Sequence, residues 1–469
     1  MMSKIHVLRP TLLALALASG LPALAQSNAE VLNELRALRE RVTELENKLK
    51  AAEAKTPAAG QWGMTPEQAR ELNRVTVKAE ALEDARDAAG LRLLKISGYM
   101  DPTFIYNKAQ NRSGFQFLNA VGDDGYNYDN SYFGAAVIDF QKETESGTRW
   151  RLTLAPNRGV GSVFDGQSPV HEASVSIPLG SLQRRLIVGQ VPDWSGYEYL
   201  QPTLNKLVTH NLLFDFTLPT AYTGVGMEIT EGKWLIKSML ANLNASRKTS
   251  GNKTPVLTYR VDYSKGEYEG FGFAGVHGKG ANLADPNGVD SKLNLLEVDA
   301  YFIRGDWTLQ GQLSYGTQKN AAVVPDPVTG DLRDAKWTGM SALAAYKFTP
   351  RFEGTVRADY LKNSKNGGGL LGYNSFLDSG GNSVLTDRRN GIGVDPTLGC
   401  EADLTITGCD KGANRSSFTL GMSYLFDLNT TFKVEYRLDR ANLPVFENVK
   451  DATFKKSNSI FGASVLVSF

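Results

Sequence analysis

From Leu94 to Phe469 the apolar residues recur at every second position, and the connections between these runs alternate between a few residues and roughly ten to fifty. Sixteen candidate strands begin near residues 94, 131, 148, 170, 182, 220, 233, 255, 270, 291, 306, 336, 351, 414, 431 and 456. Short turns fall at Glu143 to Gly147, Leu179 to Ser181, Glu231-Gly232, Lys265 to Glu269, Gly305, Thr349-Pro350 and Asp427 to Thr430. An even number of antiparallel strands, with turns at one end and long loops at the other, predicts a transmembrane barrel of the bacterial outer-membrane type. Soluble sandwiches rarely alternate so regularly.

The closing stretch shows the pattern at its clearest. Phe461, Ala463, Val465, Val467 and Phe469 form one apolar file, while Ile460, Gly462, Ser464, Leu466 and Ser468 form a smaller and more polar one. That is the period of a strand with lipid on one face and a lumen on the other. Trp234, Trp307, Phe348, Phe352, Phe426 and Phe432 all flank short turns, as an interfacial aromatic girdle requires. By the same alternation Arg149 and Arg151, Arg260 and Asp262, Glu297 and Asp299, Arg357 and Asp359, and Lys433, Glu435, Arg437 and Asp439 face the lumen. Charge is expensive against lipid and tolerated beside water. A barrel of about sixteen strands is wide enough to leave an aqueous channel.

Residues 1–25 read as a secretory signal: Lys4 and Arg9, an apolar run from Leu12 to Ala18, and Ala23-Leu24-Ala25 before Gln26. That run is too short to span a bilayer, and no later stretch approaches about twenty consecutive apolar residues. Residues 26–53 carry Val31, Leu35, Leu38, Val42, Leu45 and Leu49 at heptad spacing, with Glu34 and Arg39, and Arg41 and Glu46, as flanking opposite-charge pairs. A short coiled coil is expected there, a linker over 54–64, a second amphipathic helix over 65–90, and the barrel over 91–469. Thr65-Pro66-Glu67-Gln68 supplies an N-cap, a proline at the first helical position and a capping-box glutamine. The second helix carries Leu72, Val75, Ala79 and Leu82. A formal charge of +1 implies no field for a polyanion, so nucleic acid is not an expected partner.

Cys400 and Cys409 lie in one glycine-, asparagine- and aspartate-rich stretch, 363–413, and pairing is expected in an oxidising compartment. Free thiols are the alternative, and no further ligand completes a zinc site. The stretch reads as an ordinary mobile outer loop. Asp378, Asp387, Asp395, Glu401, Asp403 and Asp410 there lack calcium-loop spacing. No cofactor or metal is expected.

Function is expected in the connection Val191 to Pro219. Trp194, Tyr197, Tyr199, Leu207, Leu212, Leu213, Phe214 and Phe216 are too apolar for a solvated loop and must pack, most simply by folding inward to narrow the pore. Packing on a neighbouring subunit is the competing reading. Asp193, Glu198 and Asp215 of this segment are expected to line the pore together with Arg149, Arg151, Arg260, Arg357, Lys433 and Arg437; Arg149, Arg151, Arg357 and Arg437 would face the segment across the lumen, a transverse field of the kind that sorts ions and dipolar solutes. A hydrolase would need Ser and carboxylate neighbours for His277, and the sequence shows none; an enzyme is not expected.

The heptad helix leading into Ile96-Ser97-Gly98-Tyr99-Met100, with Gly189-Gln190-Val191-Pro192 through Gly196-Tyr197-Glu198, Asn211-Leu212-Leu213-Phe214 and Thr223-Gly224-Val225-Gly226, resembles the β-barrel porins of OmpL-like and DcaP-like type, close to an uncharacterised porin-like family. The resemblance spans Leu94 to Phe469 and implies a sixteen-stranded, trimeric outer-membrane porin; DcaP-like members take up dicarboxylates. No substrate-binding arginine carries over residue by residue. The chain is thus expected to be a passive channel for small polar or anionic solutes, in outer-membrane lipid, as a homotrimer. The alternative is a barrel that anchors a coiled coil reaching the periplasm or cell wall, which would tether the envelope.

Overall fold

The computed structural model describes residues 39–48, 65–88, 91–116, 134–155, 169–244, 248, 251–264, 268–280, 282, 289–363, 376–377 and 383–469. The chain divides into two units, Met1–Arg92 and Leu93–Phe469. Residues 1–25, most of the first heptad seam and the linker 54–64 lie outside the described residues.

The first unit contains helix α1, residues 39–48, and helix α2, Pro66–Ala88. The α2 start is the predicted capping box: Gln68 N donates to Thr65 Oγ1 (3.2 Å) while Thr65 N donates to Gln68 Oε1 (2.9 Å). Leu72, Val75 and Leu82 stand exposed along the helix.

The second unit is one closed antiparallel barrel of sixteen strands. In chain order they are β1 (Leu94–Met100 and Thr103–Asn107), β2 (Arg112–Gln116 and Ala136–Glu143), β3 (Arg149–Leu154), β4 (Val170–Ser181) and β5 (Arg184–Pro192). There follow β6 (Ala221–Glu231), β7 (Trp234–Leu243), β8 (Val256–Ser264), β9 (Glu269–Gly280), β10 (Ser291–Arg304) and β11 (Trp307–Gln318). The last five are β12 (Ala335–Lys347), β13 (Phe352–Lys362), β14 (Arg415–Leu425), β15 (Thr430–Ala441) and β16 (Ser457–Ser468). Each pairs with its neighbours in sequence, and β16 returns to pair with both parts of β1. Strands of 12 residues are about 40 Å long and rise by about 28 Å when tilted near 45°, which matches the apolar band of a membrane barrel.

The start of the barrel differs from the sequence expectation. β1 and β2 join by a four-residue turn, Lys108 to Asn111, and not by a long loop; the extra residues interrupt β2 between Gln116 and Ala136. β1 itself is broken at Asp101-Pro102, where proline has no N–H to give the ladder toward β16. The broken ladder is patched locally: Asp101 N donates to Ala135 O (3.0 Å), and Val465 N donates to Pro102 O (3.1 Å). Closure is completed by the last residue, with Gly98 N donating to Phe469 O (3.1 Å) and Phe469 N to Gly98 O (3.0 Å).

Side chains sort by parity. Leu296, Val298, Leu313, Met340, Leu420 and Met422 point out and are exposed, while Asp299, Gln312, Ser341, Arg357, Asp359 and Glu435 point in and are buried. Such a surface is inverted relative to a soluble protein and fits a hydrocarbon solvent. At the turn end Trp307 and Tyr346 (4.8 Å), Tyr346 and Phe348 (5.1 Å), and Phe348 and Phe352 (5.6 Å) form a continuous run of rings. The apolar core lies inside the barrel toward the loop end. There Leu243, Val256, Val276, Leu293 and Leu295 meet Leu212, Leu213 and Phe216 from the connection after β5. Ile392, Val394, Cys400 and Cys409 belong to the same core, so this part of the 363–413 stretch is packed and not an ordinary mobile loop. The two cysteines form a disulfide with Cα atoms 5.5 Å apart.

Candidate functional site

The connection between β5 and β6, Asp193 to Thr220, enters the lumen and docks on the inner wall of β11 to β16. It carries one short helix, α3 (Leu212–Thr217), capped by Asn211, whose side chain accepts from Leu213 N (2.9 Å) and Phe214 N (2.8 Å). Asp193 fixes the point of entry, accepting from Ser195 N and Ser195 Oγ (3.0 Å each) and from Tyr222 OH on β6 (2.5 Å).

The wall holds the segment mainly through its main chain. Arg357 on β13 donates to Glu198 Oε1 (2.7 Å), Thr209 O (2.7 Å) and His210 O (2.8 Å). Arg437 on β15 donates to His210 O (2.7 Å). Lys433 donates to the carbonyls of Pro202 and Asn205 (2.6 Å each), and Glu435 accepts from Val208 N (2.6 Å) and Thr209 N (3.1 Å). Lys206 pairs with Glu353 (2.8 Å), and Tyr197 OH meets Ser341 Oγ (2.6 Å). Apolar contact adds to this. Leu207 lies against Gly421 on β14, where an added Cβ would collide with it, and Leu213 lies against Gly339 on β12. Arg415 stacks between Phe216 of α3 and Phe446 of the last loop, 5.2 Å from each ring.

Burial sets the ionisation of the segment. The His210 imidazole, stacked on Phe214 (4.1 Å), is pushed down to about 3 by burial, with Arg357, Arg437 and Lys433 adding in the same direction. Burial pushes the Asp215 carboxyl up to about 7 against the pull of Arg437, and it also raises Glu198 against the pull of Arg357.

On the other side of the segment lies a cavity of about 1100 Å³, lined from Lys95 on β1 to Gln310 on β11 and by residues of the segment up to Leu204. Its charged groups reach the turn end at Glu143, Arg149 and Lys233. Ion pairs run along this wall: Arg149 with Glu143 (3.0 Å), Arg151 with Asp139 (2.9 Å) and Glu172 (3.3 Å), Lys237 with Glu228 (3.6 Å), and Arg260 with Asp262 and Asp299 (2.7 Å each). In most of them the acid lies deeper than the base. The Arg151 side chain is 35% exposed, against 10% for Asp139 and 8% for Glu172; Asp262, at 30% against 13% for Arg260, is the exception.

The nine residues expected to line the pore therefore fall into two groups. Arg149, Arg151, Arg260, Asp193 and Glu198 line the cavity. Arg357, Lys433, Arg437 and Asp215 are buried between segment and wall, because the segment docks directly on that wall. Glu172, Glu228 and Lys237 escaped the sequence reading, although their inward parity on β4, β6 and β7 marks them. Tyr199, expected to pack, is exposed on the segment. The glycines at 339, 421 and 462, on the inward files of β12, β14 and β16, were a legible sign of where a chain approaches the wall. His277 stands on the outer face, its ring neighbours being Tyr259 OH (3.3 Å) and Asn294 Oδ1 (3.1 Å).

A family model described as protein of unknown function (DUF3138) matches residues 63–469. No curated protein matches the sequence. Among solved structures, the chain is similar to the outer membrane channel DcaP of Acinetobacter baumannii, with 12% identity over 80% of this chain and 97% of that one and a TM-score of 0.49. It is similar also to an anion-selective porin from Comamonas acidovorans (10% identity, 80% and 99% covered, TM-score 0.48) and to OmpF of Salmonella typhi in complex with daunomycin (14%, 80% and 97%, 0.47).

Proposed function

The chain belongs to the DUF3138 family of proteins of unknown function, and we propose that it is an outer-membrane porin, a water-filled channel for passive diffusion of small polar or anionic solutes, narrowed by the inward segment 191–219. The observation that carries this reading is the division of the lumen: a barrel with an apolar outer face holds the segment on β11 to β16 and keeps a charged cavity of about 1100 Å³ beside β1 to β11.

The preference for anions rests on depth, since the lining charges are mixed in sign. Where Arg151 stands forward of Asp139 and Glu172, a solute meets the guanidinium first, and a nearer charge acts through a shorter distance. Four ion pairs or clusters along one wall also give a ladder of dipoles that orients a polar solute. A homotrimer is part of the proposal. Leu72, Val75 and Leu82 stand exposed on α2, and a heptad stripe of this kind is covered by further copies of the same helix.

The test is unit conductance and reversal potential of the refolded, full-length mature protein in a planar bilayer under a salt gradient. Small stepwise openings with anion preference are expected. A correctly folded barrel with no conductance would overturn the channel, and a cation-selective reversal potential would overturn the anion preference.

A further inference from the structure

The outward files of β9 to β13 carry a sorted set of side chains. Their middle is apolar, with Phe273, Leu296, Val298, Leu313, Met340 and Val356, and Tyr315 and Tyr360 follow toward the loop end. Beyond these come Lys279, Lys292, Lys336 and Lys362, each within two residues of the loop end of its strand and each exposed. The only carboxylate on these five files is Glu269, at the opposite, turn end.

The lysines form a row in two adjacent pairs, on β9 and β10 and on β12 and β13, with β11 between them, and are not a scatter of surface charge. Lys279 and Lys292 are direct cross-strand partners, a like-charge pairing that opposes strand association. Lys336 lies two residues from Thr338, which is the partner of Lys362. Across β11, Lys319 N donates to Lys292 O (2.9 Å), but Lys319 is neutralised by Asp334 (2.5 Å). Among the described residues, none of the four row lysines is paired with a carboxylate. Lys336 Nζ lies 5.4 Å from the centre of the Tyr315 ring, which places the charge at the aromatic boundary. Five strands at about 4.8 Å spacing make the row about 20 Å wide, the scale of a lipid headgroup with more than one charged substituent.

We propose that Lys279, Lys292, Lys336 and Lys362 dock the phosphate groups of an outer-leaflet lipid. This rests on the reading of the barrel as membrane-inserted. A phosphate carries acceptor oxygens and negative charge, and it resolves the Lys279 and Lys292 repulsion by standing between the two ammonium groups. The apolar files below the row receive the acyl chains of the same molecule. Charge complementarity selects this occupant over a protein partner, because a face that is apolar below and singly charged above matches an amphiphile of opposite sign.

The test uses the full-length mature protein in nonionic detergent. It is incubated with a bis-phosphorylated glycolipid, or with the same glycolipid after dephosphorylation, and bound lipid is quantified after size exclusion. The wild type retains the phosphorylated lipid, and the variant with all four lysines changed to glutamine retains at least about tenfold less. The corresponding arginine variant retains it, and the dephosphorylated lipid is not held. Equal retention by the glutamine variant, or equal retention of the dephosphorylated lipid, overturns the proposal; so does displacement of the lipid by an equal concentration of inorganic phosphate. Heat-modifiable gel mobility checks folding, and Lys279→Gln/Lys292→Gln alone serves if the quadruple variant does not fold. Planar-bilayer conductance separates the two readings: the glutamine variant conducts as the wild type does, whereas a wild type that binds lipid without conducting sinks the channel and leaves the docking row standing.

Discussion

Arg357 and Glu198 form a buried ion pair at 2.7 Å between a barrel strand and the segment that crosses the lumen, and the same guanidinium holds two main-chain carbonyls of that segment. Removing one partner of such a pair leaves the other charged and buried, at a cost of about 3 to 5 kcal/mol. Arg357→Leu is therefore expected to free the segment from its wall, giving larger and noisier unit currents. Unchanged currents from a folded variant would show that the segment does not narrow the pore.

Gly421 on β14 faces Leu207 with no room for a side chain. Gly421→Leu should push the segment off the wall without altering any charge, so conductance rises while ion preference stays. Overpacking of this kind costs about 1 to 3 kcal/mol, and heat-modifiable mobility checks that the barrel stays folded.

Two groups on the segment make its docking respond to acid in opposite senses. Docking raises Asp215 from 3.8 to about 7, so the docked state binds the proton more tightly and gains as pH falls from about 7 toward 3.8. Docking lowers His210 from 6.5 to about 3, so its contribution is present above 6.5 and is lost as pH falls toward 3. Glu198, raised by burial, acts in the sense of Asp215. Between pH 6.5 and 4, Asp215→Asn is expected to make acid open the channel more than in the wild type, and His210→Gln to make acid close it more. Single-channel records at stepped pH measure both slopes; a shift of the same sign in the two variants would contradict the assignment.

On the open wall, Arg151 stands forward of its two acids. Arg151→Glu should move the reversal potential toward the cation side, while Arg437→Lys, behind the segment, should leave selectivity as it is. A selectivity that ignores Arg151 would place the conducting path elsewhere.

At the seam between β1 and β16, Gly98 and Phe469 exchange two main-chain hydrogen bonds, and a Cβ on Gly98 would collide with the main-chain oxygen of Val137 on β2 and with the Phe469 ring. Gly98→Val is expected to reduce the yield of closed barrel in a refolding assay, and Gly98→Ala to reduce it less. Equal yields would mean that the close approach of β2 and of the Phe469 ring at Gly98 does not limit closure.

The strand starts were legible because lipid on one face and water on the other impose a period of two that few residues break. Where reading failed, the period was interrupted. β1 is broken at Pro102, and a long insertion lies in the body of β2 between Gln116 and Ala136 instead of in a loop, a placement that alternation alone does not encode. Lumen parity assigns Arg357 and Arg437 to the inner face, and parity says nothing about what covers that face. Whether an inward side chain meets water or another piece of chain is decided by long-range packing, and the only local trace was a glycine on each of β12, β14 and β16.

Because Lys433, Arg437 and Glu435 grip carbonyls and amides common to every residue, the mooring of the segment does not depend on which side chains it carries toward the cavity. Positions such as Tyr199, Gln201 and Leu204 are therefore free to diverge while the chain keeps its course across the lumen. The anchoring can be inherited unchanged while solute preference evolves.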